Sequence, residues 1–154
     1  MLPPSLEPSA QHRALALLEG RFRGAEQRTD AGEPIGTYHV RFGLGGFALL
    51  LDYEQAIDGA RRYAMHGVIG WEPAEERYYF HWYDSLGGLG TSMRGQLVDR
   101  VLTLEGPDPV RGGRARFTFD ASDGADDGFV LTMSFSEDGE TWIDAMSTVY
   151  RQVH

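Results

Sequence analysis

Hydrophobic and polar residues alternate with a period of two through most of the chain, and turn residues interrupt the alternation at short intervals. Because successive side chains of a strand point to opposite faces, this pattern predicts strands with one apolar and one polar face. The clearest example is residues 63–84, where two alternating segments flank a turn at residues 72–76. Antiparallel counting from that turn places Gly67 opposite Trp82, so that a missing side chain faces the largest one.

The same alternation predicts ten short strands joined by local turns, with turn signals such as Asp58-Gly59 between them. Ahead of the strands, Ser9 is placed to begin a short helix that Gly20 ends, and residues 1–8 form a loose lead-in. A short helix followed only by strands suggests a lid or plug on a β structure. The acidic run at residues 120–128 is interpreted as a solvated turn.

An open sheet with one apolar face needs a second layer, and the sequence contains no long helix to supply it. Closing the sheet into an antiparallel up-and-down barrel buries that face and removes the exposed edges. A two-sheet sandwich is the competing architecture. The barrel is favoured because the connections are sequential, and we expect an all-β single domain over residues 9–154.

Composition narrows the function classes. The net charge of −9 disfavours nucleic acid and anionic membranes as partners, because phosphate contacts need clustered cations. All 14 basic residues are arginine, so the Schiff-base lysine and the Walker phosphate loop are excluded, and the absence of cysteine excludes disulfides and thiol nucleophiles. No apolar run approaches the roughly 20 residues of a membrane helix, and the first residues lack a signal-peptide pattern, so we expect a cytoplasmic protein.

The segment Leu17–Gly24, Leu-Leu-Glu-Gly-Arg-Phe-Arg-Gly, resembles the Leu-x-Gly-x-Trp-x-Gly opening of calycin barrels, which include lipocalins, fatty-acid-binding proteins and nitrobindins. Short motifs at residues 44–47, 70–73, 82–85, 138–142 and 150–151 resemble a family of small bacterial proteins of uncharacterised function. The resemblance implies a lipocalin-like barrel. It departs at Phe22, where most calycins have tryptophan. The nitrobindin branch implies haem held by an inward histidine, but no histidine here matches, so no cofactor is expected.

A ten-stranded barrel is wider than side chains alone usually fill, so we expect an apolar, aromatic cavity for a small-molecule ligand. The alternative is that bulky rings fill the lumen. Candidate ligand-binding residues are the aromatic, methionine and acidic side chains of inward parity: Glu26, Tyr38, Tyr53, Tyr63, Met65, Trp82, Asp84, Met93, Trp142, Asp144 and Tyr150.

Fatty-acid-binding relatives hold a carboxylate with an inward arginine. Here Arg41, Arg94 and Arg151 have outward parity, so we expect a neutral or weakly basic apolar ligand. Access is expected near the helix and the loop at residues 85–90. Asp84 has an alternative role, which is to cap the turn that follows it.

No catalytic residue or metal motif stands out. An enzyme that uses Glu26, Asp84 and Asp144 as an acid–base set is an alternative, and it requires at least two of them in one pocket. His66 and His81 have outward parity and lack a clear third ligand, which disfavours a metal site. The outward Tyr79, His81 and Tyr83 group suits a homodimer contact instead.

Overall fold

A computed structural model describes residues 7–88, 90–122 and 128–154. It contains one short helix, α1 (Ala10–Ala14), which continues into a 3-10 turn at Leu15–Leu18. The strands follow in order: β1 (Gly20–Ala25), β2 (Ile35–Gly43), β3 (Ala48–Ile57), β4 (Ala60–Glu72), β5 (Arg77–Asp84), β6 (Thr91–Val98), β7 (Val101–Pro107), β8 (Arg114–Asp120), β9 (Gly128–Ser136) and β10 (Ile143–Gln152). Most of the predicted acidic turn and of the predicted lead-in, residues 123–127 and 1–6, lies outside the described residues, as does residue 89.

The ten strands form a closed barrel in which each strand pairs with its neighbours in the chain and β1 pairs with β10. All of these pairs are antiparallel. The predicted all-β up-and-down barrel with a short helix before it is therefore confirmed, and the sandwich is wrong. The closing pair, β1 with β10, is short and joins Phe22 to Gln152 and Arg23 to Arg151.

The register predicted for the β4–β5 hairpin is confirmed, with Gly67 opposite Trp82. The space above Gly67 is nevertheless occupied by the ring of Phe80, which is diagonal to it, because a β-carbon at Gly67 would overlap that ring. Phe80 and Trp82 then stack with their centroids 5.0 Å apart. Because Gly67 has no side chain, the large rings of Phe80 and Trp82 both fit on the inner face of the barrel.

The helix closes one end of the barrel. Leu15 and Leu18 are buried beneath the strands, and the Tyr78 hydroxyl donates a hydrogen bond to the carbonyl of Gln11 at 2.7 Å. The start of α1 is held by the backbone N–H of Ser9, which donates to His12 Nδ1 at 3.0 Å. The predicted plug is therefore present, and we call this side of the barrel the helix end.

Two irregularities interrupt the strand pairing at the opposite end. Gln55 pairs with Tyr63 and Ala56 with Arg61, so Arg62 is an extra residue in β4. The β9–β10 register shifts between Asp144 and Met146 in the same manner. A β-bulge of this kind changes which face the following side chains occupy, because one strand carries two residues against one. Among the described residues, no helix is long and apolar enough to cross a membrane.

Candidate functional site

A cavity of about 520 Å³ occupies the half of the barrel lumen that lies away from the helix. Its walls are mainly aromatic rings and methionines: Met65, Phe80, Trp82, Phe117, Phe119, Leu131, Met133, Phe135 and Met146. The other half of the lumen is packed with side chains, since Leu49, Ile69, Leu102 and Leu104 are fully buried and do not line the cavity. The sequence left two alternatives, a lumen with a cavity and a lumen filled by side chains. The half near the helix is filled, and the other half contains the cavity.

The cavity opens between the loops that connect the strands opposite the helix. We call this opening the mouth, and it is formed by Arg62, Leu86 and residues 108–110. Access was expected near both the helix and the loop at residues 85–90, but these lie at opposite ends. β5 begins at the helix end and runs away from it, so the loop that follows Asp84 reaches the mouth.

Glu26 and the side chains that donate hydrogen bonds to it lie at one wall of the cavity, and we call them the Glu26 cluster. Glu26 follows β1, is 7% exposed and accepts three hydrogen bonds. The Tyr53 hydroxyl donates to Oε2 at 2.6 Å, Gln55 Nε2 donates to Oε1 at 2.8 Å, and the Tyr150 hydroxyl also donates to Oε2. Gly36 leaves room for the group, because a β-carbon there would overlap the carboxylate. A buried carboxylate is tolerated when it is hydrogen-bonded in this way.

The tyrosines around Glu26 are held in their neutral form. Burial raises the pKa of Tyr53, and its hydrogen bond to Glu26 and the nearby negative charge raise it further. Burial is also the main cause of the raised pKa of Tyr150 and of Tyr38, and the Glu26 charge adds to it in both. Near neutral pH, Tyr53 and Tyr150 consequently remain hydrogen-bond donors to Glu26, and Tyr38 stays uncharged.

Asp84 lines the cavity near its mouth and also caps the turn after β5, as its alternative role predicted. Oδ1 accepts hydrogen bonds from the backbone N–H groups of Leu86, at 3.0 Å, and Gly88, at 3.1 Å. The Tyr63 hydroxyl donates to Oδ2 at 3.2 Å. Burial, followed by the nearby Asp84 charge, raises the pKa of Tyr63. The two roles expected for Asp84 are compatible.

Most of the predicted ligand-binding residues lie around this one cavity: Glu26, Tyr38, Tyr53, Tyr63, Met65, Trp82 and Asp84. Met93 and Tyr150 are also turned inward, but they are fully buried and do not line the cavity. Tyr150 instead supports Glu26 from behind.

The inward orientation predicted for Asp144 and Trp142 is wrong. The bulge at Ala145 places Asp144 on the outer face, where its carboxylate accepts a hydrogen bond from the Ser134 hydroxyl at 2.7 Å. Trp142 stacks on Arg116, whose guanidinium lies 3.9 Å from the ring centroid. Counting backward from Met146 in strict alternation places Asp144 and Trp142 inside the barrel, because the count omits the extra residue at Ala145.

Three polar residues of the cavity were missed from the sequence. Gln55 has the parity of Tyr53, so extending the third strand by two residues would have found it. Strict alternation from the inward Met65 makes Arg62 face outward, and it reaches the mouth only because it is the extra residue of a bulge. Asp108 lies in a loop rich in glycine and proline, where alternation makes no prediction.

Comparison with known proteins places this fold in a family. The model of a family described as "Protein of unknown function (DUF1579)" matches residues 7–152. The chain belongs to this family. No curated protein matches the sequence. The match agrees with the expected resemblance to a family of uncharacterised function.

One solved structure similar to this chain is the "Crystal Structure of Rv2717c from M. tuberculosis", with a TM-score of 0.64 and 13% sequence identity. The similarity covers 96% of this DUF1579 chain and all of the other one. At this identity the likeness establishes the barrel fold alone.

The outer wall carries a polar network around Asp52. His66 Nδ1 lies 2.6 Å from Asp52 Oδ1, and Arg41 donates to Oδ2 at 2.7 Å. Burial alone would raise the pKa of Asp52, but the hydrogen bonds with His66 and Arg41 outweigh it and lower the pKa.

No group of three or more histidine and carboxylate side chains suited to a metal ion occurs in the described ranges. The homodimer contact near Tyr83, which is 55% exposed, stays a prediction.

Proposed function

We propose that this DUF1579 protein binds a small apolar molecule in the barrel and that the molecule is neutral or weakly basic. The observation that carries the proposal is the cavity of about 520 Å³, which has aromatic and methionine walls and a mouth at one end. Small-ligand sites are typically apolar cavities of roughly 300–1,000 Å³ with a few polar groups that orient the ligand. Binding in the lumen is also what the resemblance to calycins implies.

The charges around the cavity support the ligand class. Glu26, Asp84 and Asp108 line it, against the single arginine Arg62. Arg62 is exposed at the mouth, where solvent and salt weaken its attraction for an anion. A ligand without negative charge is therefore favoured.

The acid–base enzyme is the alternative prediction, and its stated condition, at least two of the three carboxylates in one pocket, is met. Glu26 and Asp84 line the same cavity, whereas Asp144 lies outside it. Both oxygens of Glu26 already accept hydrogen bonds from side chains that pack around it. A general base needs access to the proton that it removes, so this arrangement favours a structural role for Glu26 and a binding role for the cavity.

Calorimetric titration with naphthylmethanol, a neutral aromatic probe, tests the proposal. Met133→Trp should fill part of the cavity and weaken binding by about tenfold or more, which corresponds to ~1.4 kcal/mol. Thr132→Trp is the matched control, because the Thr132 hydroxyl lies on the outer face, 3.2 Å from that of Ser147. Ligand binding should also raise the melting temperature of the wild type. Equal affinities of the two variants, or no binding to the wild type, would contradict the proposal.

A further inference from the structure

Asp108 stands between two concave regions at the mouth. It lies between β7 and β8, lines the cavity, and also lines a neighbouring recess of about 480 Å³. The residue is only 8% exposed. Oδ1 accepts hydrogen bonds from the backbone N–H groups of Val110, at 2.9 Å, and Arg111, at 3.1 Å. The backbone N–H of Asp108 donates to Gly113 at 3.0 Å, so the loop holds the carboxylate in place.

The second oxygen of the same carboxylate is not satisfied. Asp108 Oδ2 is buried and has no hydrogen-bond partner among the described residues. A buried acceptor without a donor destabilises the folded protein, and more so when it is charged. The other two carboxylates of the cavity differ, since each oxygen of Glu26 and of Asp84 accepts at least one hydrogen bond. Among the three, Asp108 alone has an oxygen that still needs a donor.

The cations near the mouth do not supply that donor. Arg111 turns its guanidinium over the ring of Phe135, 3.8 Å from the centroid. Neither Arg111 nor Arg62 forms an ion pair with Asp108 within the described part of the chain. Asp108 Oδ2 therefore remains an acceptor without a donor beside the mouth, and a ligand reaches it by displacing the atoms that cover it.

We propose that Asp108 is the polar anchor of the ligand and that Oδ2 accepts a hydrogen bond from its ammonium group. The ligand class is a small amine with an apolar, preferably aromatic, body. An alcohol of the same shape can also donate a hydrogen bond to the carboxylate, but an ammonium group adds the attraction between opposite charges, so the amine gains more here. This inference rests on the proposed function and specifies the polar end of the ligand.

The test compares three probes of one shape, naphthylmethylamine, naphthylmethanol and naphthoate, by calorimetric titration. The wild type should bind the amine about tenfold more tightly than the alcohol, and naphthoate least. Asp108→Asn should remove this preference, mainly by weakening the binding of the amine, and its Oδ1 can still accept from Val110 and Arg111 to hold the loop. Asp58→Asn is the matched control: it also removes one negative charge from this end of the barrel, at an exposed turn position that does not line the cavity, and it should keep the preference for the amine.

Each other outcome overturns a defined part of the proposal. An amine preference that persists in Asp108→Asn, or that disappears equally in Asp58→Asn, shows that Asp108 is not the anchor. Tightest binding of naphthoate assigns the polar end to Arg62 and also overturns it. If the protein binds the alcohol but does not prefer the amine, only the role of Asp108 as anchor is contradicted. If it binds none of the probes, the proposed function is contradicted as well. If Asp108→Asn does not fold, Asp108→Ser gives the same comparison, because its hydroxyl can still accept from the loop.

Discussion

The hydroxyl of Tyr53 donates a hydrogen bond to Glu26 at 2.6 Å and so joins β3 to the end of β1. Tyr150, in β10, donates to the same carboxylate oxygen from the other side. The direct pairing of β1 with β10 is short. Glu26 therefore links the strands on both sides of the place where the barrel closes, in addition to lining its cavity.

Loss of the Glu26 charge is expected to destabilise the barrel. Glu26→Gln turns an amide N–H toward donors that need an acceptor, and it should lower the free energy of unfolding by about 1–3 kcal/mol. Guanidinium-induced unfolding measures this change. Glu33→Gln removes the same charge at an exposed position and is the control. Equal stability of the two variants would show that the cluster contributes little to closure.

The buried tyrosines predict that stability falls in alkaline solution. The pKa values of Tyr38, Tyr53, Tyr63, Tyr78 and Tyr150 are all raised from the ordinary value of 10, mainly by burial. Above about pH 10 the folded state therefore keeps protons that the unfolded state loses, so the free energy of unfolding falls as the pH rises. Below pH 10 both states hold these protons, and the tyrosines cause no pH dependence.

Spectrophotometric titration of tyrosinate checks this expectation. Five of the seven tyrosines should resist ionisation near pH 10 in the folded protein and should ionise there in guanidinium. If all of the tyrosines ionised together near pH 10 without unfolding, the described burial of the Glu26 cluster would be wrong.

Gly67→Ala is expected to destabilise the β4–β5 hairpin. Its new methyl group would overlap the ring of Phe80, and overpacking of this kind costs about 1–3 kcal/mol. A double-mutant cycle with Phe80→Leu measures the coupling, and the second substitution should recover part of the loss. Additive effects of the two substitutions would show that the methyl group and the ring do not meet.

Two tryptophans test which face each side chain occupies. Trp82 lines the cavity, whereas Trp142 stacks on Arg116. Trp82→Ala should weaken binding of naphthylmethanol by about tenfold, since an aromatic contact and its buried area are lost. Trp142→Ala should leave the calorimetric affinity unchanged. The reverse result would restore the inward orientation of Trp142 that strict alternation predicts.

The loop before β10 predicts a loss of stability in acid. Hydrogen bonds from the backbone N–H groups of Thr141 and Glu140, and then from the Ser136 hydroxyl, lower the pKa of Asp138 to about 2. A carboxyl whose pKa is lowered by folding stabilises the folded state above its ordinary pKa of 3.8, and this contribution is lost as the pH falls toward 2. Asp138→Ala should therefore reduce the dependence of the melting temperature on pH between 4 and 2. If the melting temperature of Asp138→Ala depended on pH as that of the wild type does, Asp138 would not cause the loss of stability in acid.

Much of the barrel follows from the sequence because strand alternation and tight turns are local properties. Asp58-Gly59, for example, forms the two-residue turn that its sequence indicates, with φ values of 51° and 77°. The β4–β5 register follows in the same way, since a short turn determines which residues pair. From this register, the inward positions of Met65 and Trp82 could be counted.

The details of the site depend on contacts between strands and loops, which no local pattern in the sequence predicts. The extra residues at Arg62 and Ala145 depend on pairing with a neighbouring strand, so counting along one strand placed Arg62 and Asp144 on the wrong faces. The half-filled lumen depends on how rings from all strands share one volume. The unsatisfied oxygen of Asp108 depends on which donors the folded chain brings near it. Local alternation and tight turns thus set the strands, their order and the apolar face that barrel closure buries, whereas long-range packing set where the cavity ends and which polar groups face it.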